Sequence, residues 1–299
     1  MQDRSSFPRG IPFTRAFALA LALAVGLGLG LGVAAPRSAE AACTPDPPTA
    51  DMKDITCSGT DSTGFDGSAE DGLTVNVVAG AELDDSDPTL DAALRVGEGN
   101  TITFESNTIL RVVDDGGAGV RGGDDNTVTL DGLVRVLADD AQAVSIGSRT
   151  PPDPLTSGPT PPGQITLPSA SARIDVLGDR SIGLEAGDDL GVRVVGQIAA
   201  EGDESVAISL GDRTRLDFRS EVDFSGTLEV FGDRAIGIRV GDGWFANNVA
   251  ATTEEALGTP TGAAVSLGAG SSIEVTGANA FGLWLGDDAN PTGEHDSFA

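Results

Sequence analysis

A phrase of twelve residues recurs through the second half of the chain, and it constrains the fold more than any other feature. It reads GDRSIGLEAGDD at residues 178–189 and GDRAIGIRVGDG at residues 232–243, and weaker copies flank both. A short pair of β-type residues precedes each copy, and successive pairs are 24, 40, 24, 30 and 45 residues apart. The spacing predicts internal repeats with a basic period of about 24 residues, some of them lengthened by inserts.

Apolar side chains alternate with small or charged ones within each copy, which is the pattern of a β-strand with one face in a core. The side chains predicted to form a core ladder are Ile182, Leu184, Val206, Ile208, Ile236, Ile238, Phe281 and Leu283. The residue between the two ladder positions of each copy is always Gly or Ala, and we expect it to face outward. This small column consists of Gly119, Ala143, Gly183, Ala207, Gly237 and Gly282.

Three short strands in each period describe one coil of a solenoid. A single coil cannot bury its apolar face alone, so like side chains are expected to stack on like ones in the next coil. The sequence therefore predicts an all-β fold, a parallel β-helix with coils of about 24 residues. A β-sandwich or a propeller remains an alternative, although both favour antiparallel hairpins and longer, more aromatic strands.

The start of the chain has the pattern of a secretory signal peptide. Three arginines, a continuous apolar run at residues 16–33 and the small-residue site Ala39-Glu40-Ala41 follow in the expected order. The predicted organisation is a signal peptide at 1–41, an N-terminal cap at 42–91, β-helix repeats at 92–288 with inserted loops at 149–168 and 246–262, and a tail at 289–299.

The two cysteines, Cys43 and Cys57, lie just behind the signal peptide. In an oxidising compartment they are expected to form a disulfide, which would stabilise the cap by about 3 kcal/mol in the chain-entropy model. Metal binding is the weaker interpretation, because two thiols without a nearby His do not complete a zinc site.

The chain is strongly acidic, with 46 Asp and Glu against 18 Lys and Arg and a net charge of −28. Such a charge excludes nucleic acid as a partner, because the phosphate backbone would be repelled. It also argues against adsorption on anionic lipid.

Carboxylate pairs recur at the turns, and we interpret them as turn residues rather than catalytic groups. The pairs are Asp114/Asp115, Asp124/Asp125, Asp139/Asp140, Asp188/Asp189 and Asp287/Asp288. Asp tolerates turn conformations and caps backbone amides, whereas a glycosidase needs two carboxyl groups in different environments. The only histidine, His295, lies in the tail and no G-x-S-x-G is present, so no catalytic, cofactor-binding or metal-binding residue is predicted.

The stretch ACTPDPPTADMKDITCSGT at 42–60 and the Gly-Asp coils of residues 92–288 resemble the β-helical passenger domains of proteobacterial autotransporters, the type V secretion substrates. The resemblance implies an adhesive or structural stalk without catalysis, exported through the inner membrane to the outer membrane, the cell surface or the medium. It also implies a translocator barrel in cis or in trans and partners among surface glycans or proteins. The sequence contains no barrel strands, so a passenger fragment is expected, which would be periplasmic if a translocator is truly missing.

Two other functions remain open at this point. One is a secreted β-helical polysaccharide lyase or hydrolase, in which Glu185, Arg193 and Arg239 would be the candidate catalytic residues. The other is a cation-dependent exported scaffold, in which stacked Gly-Asp turns align carboxylates at intervals of about 4.8 Å.

Overall fold

All the regular structure in the described part of the chain is β-strand. The computed structural model describes residues 42–45, 48, 53–86, 89–148, 164–211, 222–241, 245–246 and 263–285. The predicted signal peptide, the predicted tail and most of the two predicted loops lie outside these residues. Within them, no helix is long and apolar enough to span a membrane.

The 26 strands form three sheets. Sheet 1 contains β1 (Ala42–Thr44), β2 (Asp54–Ser58), β5 (Thr74–Val77), β8 (Thr101–Phe104), β11 (Thr127–Leu130), β14 (Gln164–Leu167), β17 (Gly191–Val194), β20 (Val222–Phe224), β24 (Ala263–Leu267) and β23 (Phe245–Ala246). Sheet 2 contains β3 (Thr60–Asp61), β6 (Glu82–Asp84), β9 (Ile109–Val112), β12 (Leu133–Val136), β15 (Arg173–Val176), β18 (Gln197–Ala200), β21 (Thr227–Phe231) and β25 (Ser272–Thr276). Sheet 3 contains β4 (Phe65–Gly67), β7 (Ala92–Val96), β10 (Ala118–Gly122), β13 (Gln142–Ile146), β16 (Ile182–Ala186), β19 (Val206–Leu210), β22 (Ile236–Val240) and β26 (Phe281–Leu285).

The chain passes through sheets 1, 2 and 3 in the same order in each coil. We number the coils 1 to 8, from β2–β4 through to β24–β26. The strands of successive coils pair in parallel, and only β1 pairs antiparallel, with β2. This is a solenoid-like stack of the parallel β-helix type.

The register joins the lead residues that the repeat pattern aligned. Leu110 pairs with Val134, and Val134 pairs with Ile174. The same column continues through Ile198, Leu228 and Ile273. Coil length varies along the stack because turns differ in length, while the apolar columns keep the strands in register. The largest fully buried side chains, which include Phe65, Phe104 and Phe224, point into this one core.

The predicted boundary at residue 92 is too late. β2 pairs in parallel with β5, and β5 with β8, so residues 54–91 already contribute coils to the stack. The predicted loop 149–168 is also too long, because residues Gln164–Leu167 form β14, which pairs with β11 on one side and β17 on the other. The apolar residues Ile165 and Leu167 of that strand are fully buried, and Pro168 follows directly after it.

The cap itself is small. Only β1 lies outside the parallel stack, and the Cys43–Cys57 disulfide joins it to β2 as predicted. Both cysteines are buried in the core cluster. The disulfide therefore closes the first coil at its sheet 1 side.

The prediction that the small column faces outward is wrong. Ala143 and Ala207 are fully buried, and a Cβ on Gly119 would lie 2.6 Å from the core side chain of Leu110. A Cβ on Gly183 would lie 2.4 Å from the carbonyl oxygen of Ala207, its counterpart in the next coil. The register adds Ala93, which follows Ala92 in β7, as a further member.

The burial pattern of the sheet 3 strands explains this difference. In β16 and β22 the second, third and fifth residues are buried, while the first and fourth are partly exposed. Simple alternation therefore fails at the second residue. Leu184, Ile208 and Ile238 are fully buried, and Leu283 packs against the core. The first residues of three of these strands, Ile182, Ile236 and Phe281, were also predicted to lie in the core, but they are partly exposed.

Candidate functional site

The Gly-Asp turns between sheets 2 and 3 form a hydrogen-bonded ladder along the stack. In each of coils 3 to 7 an aspartate carboxylate accepts the backbone N–H of the equivalent residue in the next coil. We call these residues the aspartate ladder: Asp115, Asp139, Asp179, Asp203 and Asp233. The first N–H to Oδ1 distance is 3.2 Å and the other four are 2.9 Å.

A glycine precedes the ladder aspartate in coils 5, 6 and 7, where it allows the coils to approach closely. A Cβ on Gly178 would lie only 1.8 Å from the carbonyl oxygen of Ala138, and a Cβ on Gly202 only 2.1 Å from that of Gly178. No side chain larger than hydrogen fits there without moving the backbone. In the Gly-Asp dipeptide, Gly therefore allows the close approach of the neighbouring coil and Asp hydrogen-bonds to that coil.

The residue after each ladder aspartate has a left-handed backbone conformation. Asp140, Arg180, Glu204 and Arg234 have φ values between 55° and 60°, and Gly116 after Asp115 has a φ of 73°. Their N–H groups donate to carbonyl oxygens of the next coil, as from Arg180 to Asp203 at 2.8 Å. Their charges alternate along the stack from Asp140 to Arg234. Arg180 binds Asp140 through two hydrogen bonds of 2.6 Å, which lower the pKa of the Asp140 carboxyl group.

The turns between sheets 3 and 1 carry a second, shorter ladder of the same kind. Asp71 accepts the N–H of Glu98 at 2.9 Å, and Asp124 accepts the N–H of Ser148 at 2.8 Å. The Ser148 hydroxyl then accepts the N–H of Asp188 at 3.0 Å. The members of the carboxylate pairs that the structure describes are therefore turn residues, whereas Asp287 and Asp288 lie outside the described residues.

A groove of about 1040 Å³ lies over sheet 3 in the second half of the stack. Its floor is formed by the first and fourth residues of the sheet 3 strands. Ile236, Phe281, Glu185, Arg239 and Trp284 are partly exposed there, whereas Val206 and Ser209 of β19 are buried. Glu204, Arg234 and Asn279 of the neighbouring turns form one wall, and Gly187, Gly211 and Gly241 form the other. The groove combines an apolar and aromatic strip with a polar column.

The polar column is ordered by hydrogen bonds between coils. Ser145 donates to Glu185 at 2.8 Å, and Arg239 donates through Nη2 to Ser209 at 2.9 Å. Trp284 is the strand partner of Arg239, and its ring meets the ring of Phe281 edge to face at a centroid distance of 4.9 Å. Two acidic and two basic side chains line the groove, so it is locally balanced on a chain of net charge −28.

Sequence reasoning found part of this groove. Glu185 and Arg239 lie in it, two strands apart, but Arg193 lies on sheet 1, where its Nε is 3.5 Å from Asp223. Trp284 and Ser209 were missed. Trp284 is one of only two tryptophans in the chain, and its position in an otherwise polar column was the one available signal.

A buried carboxylate lies apart from both ladders. Asp85 is 2 % exposed and accepts the N–H of Val113 through Oδ1 at 2.6 Å, but its Oδ2 has no hydrogen-bond partner. Burial raises the pKa of the Asp85 carboxyl group. It stands where later coils place an apolar residue such as Val112. Among the described residues, no three His, Cys, Asp or Glu side chains are grouped as metal ligands would be.

Comparisons with known proteins give no match. No family model matches the chain, and neither a characterised protein nor a solved structure resembles it significantly.

Proposed function

We propose that this chain is an exported β-helical passenger that acts as an adhesive or structural stalk outside the cell, without catalysis of its own. The observation that carries the proposal is the aspartate ladder, since the recurring carboxylates hydrogen-bond the next coil rather than line the groove. The resemblance of residues 42–60 and 92–288 to autotransporter passengers supports the same function. The repeat period of about 24 residues per coil is part of that resemblance.

Export through the inner membrane is part of the proposal. The signal pattern at residues 1–41 supports it, and so does the disulfide, because such bonds persist in oxidising compartments. Delivery to the cell surface then requires a translocator barrel in cis or in trans. In its absence the mature chain is expected in the periplasm.

The export step is tested by producing the full chain in a Gram-negative host. We expect cleavage after Ala41, a new N-terminus at Ala42 and a periplasmic product with the disulfide formed, checked by fractionation and mass spectrometry. Leu21→Arg with Leu23→Arg should block processing, because it places two charges in the apolar run. Leu21→Ala with Leu23→Ala is the matched control and should be exported. Uncleaved wild-type chain in the cytoplasm would contradict the proposal. In a second experiment, fusion of the chain to a translocator barrel should make the exported chain accessible to external protease.

The groove over sheet 3 is the adhesive surface in this proposal, with surface glycans as its ligands. Aromatic rings beside hydrogen-bonding side chains suit a sugar, which has both apolar faces and hydroxyl groups. Trp284 and Phe281 supply the rings, and Glu185, Ser209 and Arg239 supply the polar groups.

Binding to an array of neutral and acidic oligosaccharides tests the groove. We expect binding without turnover, weakened at least about tenfold by Trp284→Ala because an aromatic anchor is lost. Leu267→Ala, which changes a 53 % exposed apolar side chain outside the groove, should leave binding unchanged. The second candidate function, a polysaccharide lyase or hydrolase, is favoured by Glu185 and Arg239 facing one groove. Released product that disappears in Glu185→Gln would establish that candidate instead. A chain that shows neither binding nor turnover would overturn both the adhesive and the catalytic role of the groove.

A further inference from the structure

The outer face of sheet 2 carries an exposed apolar stripe. The residue after the last core residue of each sheet 2 strand is Val113 in coil 3, Leu137 in coil 4, Leu177 in coil 5 and Phe231 in coil 7. Their exposed fractions lie between 36 % and 47 %, and they are four of the five large hydrophobic side chains exposed among the described residues. Coil 6 interrupts the stripe with Glu201. Apolar side chains stacked at one register position form a continuous patch, which is typical of an interaction surface.

Charges on the same face separate into two halves. The outward column beside the stripe runs from Arg111, Arg135 and Asp175 in coils 3 to 5 to Ala199, Glu229 and Glu274 in coils 6 to 8. Arg111 is ion-paired with Glu82 of coil 2, and Arg135 with Asp175. In the flanking columns, coil 5 contains Arg173, which is ion-paired with Asp175, and coil 6 contains Glu201. The side chains of Arg111 and Arg135 are 40 % and 49 % exposed. On this face, coils 3 to 5 therefore contain three arginines and one aspartate beside the apolar side chains, whereas coils 6 to 8 contain three glutamates and no arginine.

We propose that this face joins two copies of the chain in an antiparallel dimer. A two-fold axis that runs along the strands between β15 and β18 reverses the order of coils and keeps each column opposite itself. Arg111 then faces Glu274 of the second copy, and Arg135 faces Glu229. In the apolar stripe, Leu137 faces Phe231. An axis along the stack would instead place Arg135 against Arg135, which like-charge repulsion disfavours.

Among the described residues, the outer face of sheet 2 is exposed. Within coils 3 to 8 the undescribed stretches 149–163, 212–221 and 242–244 connect sheet 3 to sheet 1, and 247–262 connects β23 to β24 within sheet 1. The connections that border sheet 2 in these coils are described, and each is short. The net charge of −28 repels copies of the chain from one another, so contact requires a face on which opposite charges meet. The outer face of sheet 2 meets that requirement.

Charge reversal tests the dimer directly. The wild-type mature chain at about 100 µM in 0.15 M salt is expected to have the mass of a dimer by light scattering. This concentration suits the dissociation constants typical of modest protein association. Arg135→Glu and Glu229→Arg should each weaken dimerisation at least about 100-fold, because each puts like charges at two symmetry-related contacts. An equimolar mixture of the two variants should recover a heterodimer, because both contacts are then Glu opposite Arg. The heterodimer is detected by native mass spectrometry.

Arg193→Glu is the matched control. Arg135 and Arg193 are both outward arginines whose Nε lies 3.5 Å from an aspartate of a neighbouring coil, but Arg193 is on sheet 1. Its reversal should leave the dimer intact. A monomeric wild-type chain, a dimer that survives Arg135→Glu, or two single variants that fail to pair with each other would each overturn the proposal.

Discussion

Replacing Asp139, Asp179, Asp203 and Asp233 together with alanine is expected to lower the free energy of unfolding by about 4–6 kcal/mol. Each substitution removes the acceptor for one backbone N–H of the next coil, and the loss of such a cap costs about 1–1.5 kcal/mol. The four sites lie on successive coils of one stack, so their effects accumulate along it. Urea denaturation of the mature chain, followed by circular dichroism, measures the change.

The same four positions changed to asparagine provide the control. Asparagine keeps a side-chain oxygen that can accept the N–H, but it removes the charge. The asparagine variant is therefore expected to stay within about 2 kcal/mol of the wild type, far closer than the alanine variant. If both variants were equally destabilised, charge rather than the hydrogen bonds would be the cause, and the ladder would not have the role described above.

Gly183→Ala is expected to destabilise the chain by about 2–3 kcal/mol, although it adds a single methyl group. The new Cβ would lie 2.4 Å from the carbonyl oxygen of Ala207 and 3.4 Å from a methyl group of Val176. The first neighbour is backbone held in a parallel sheet on both sides, so it cannot move away as a flexible side chain would. Overpacking of this kind costs about 1–3 kcal/mol in well-packed cores.

Ala207→Gly is the matched control in the same column. It removes a buried methyl group and adds backbone freedom, with an expected cost of about 1 kcal/mol. Denaturation of the two variants side by side therefore separates crowding from simple loss of contact. Gly183→Ala as stable as the wild type would mean that the column tolerates a side chain and that its small residues have another cause.

The apolar columns made the fold predictable from sequence. Leu110, Val134 and Ile174 occupy equivalent places in successive repeats, and a one-residue shift in register would turn each of them out of the core. That penalty is why the pattern alone aligned the strands in sheet 2 through the inserts. The first coils were missed because β3 and β4 have only two and three residues, too few to show an alternation.

The small column was misplaced for a different physical reason. Strict alternation assigns Gly183 to the face opposite Leu184, but both are buried because the sheet 3 strand departs from simple alternation at that point. A pattern of period two contains no information about such a departure. The composition did contain it, since a column restricted to Gly and Ala indicates crowding, and crowding is found in a core more often than at a surface.

The groove was the least predictable feature because its residues come from distant parts of the sequence. Glu185, Ser209, Arg239 and Trp284 are adjacent only through the register of sheet 3. Glu185, Ser209 and Arg239 are unremarkable in their own repeats. Only the stacking of the four coils brings together the rings of Phe281 and Trp284, the acceptor groups of Glu185 and Ser209, and the Arg239 guanidinium.

Hydrogen exchange at the Asp203 amide in Asp179→Ala tests the structural role of the Gly-Asp turns most directly. In the wild type this N–H donates to Asp179 Oδ1 at 2.9 Å, and the N–H of Asp233 donates in the same way to Asp203. We expect the Asp203 amide of the variant to exchange at least about tenfold faster, because its acceptor is gone. The Asp233 amide should keep its rate, since its own acceptor is intact. An unchanged rate at Asp203 would show that the carboxylate does not hold the next coil.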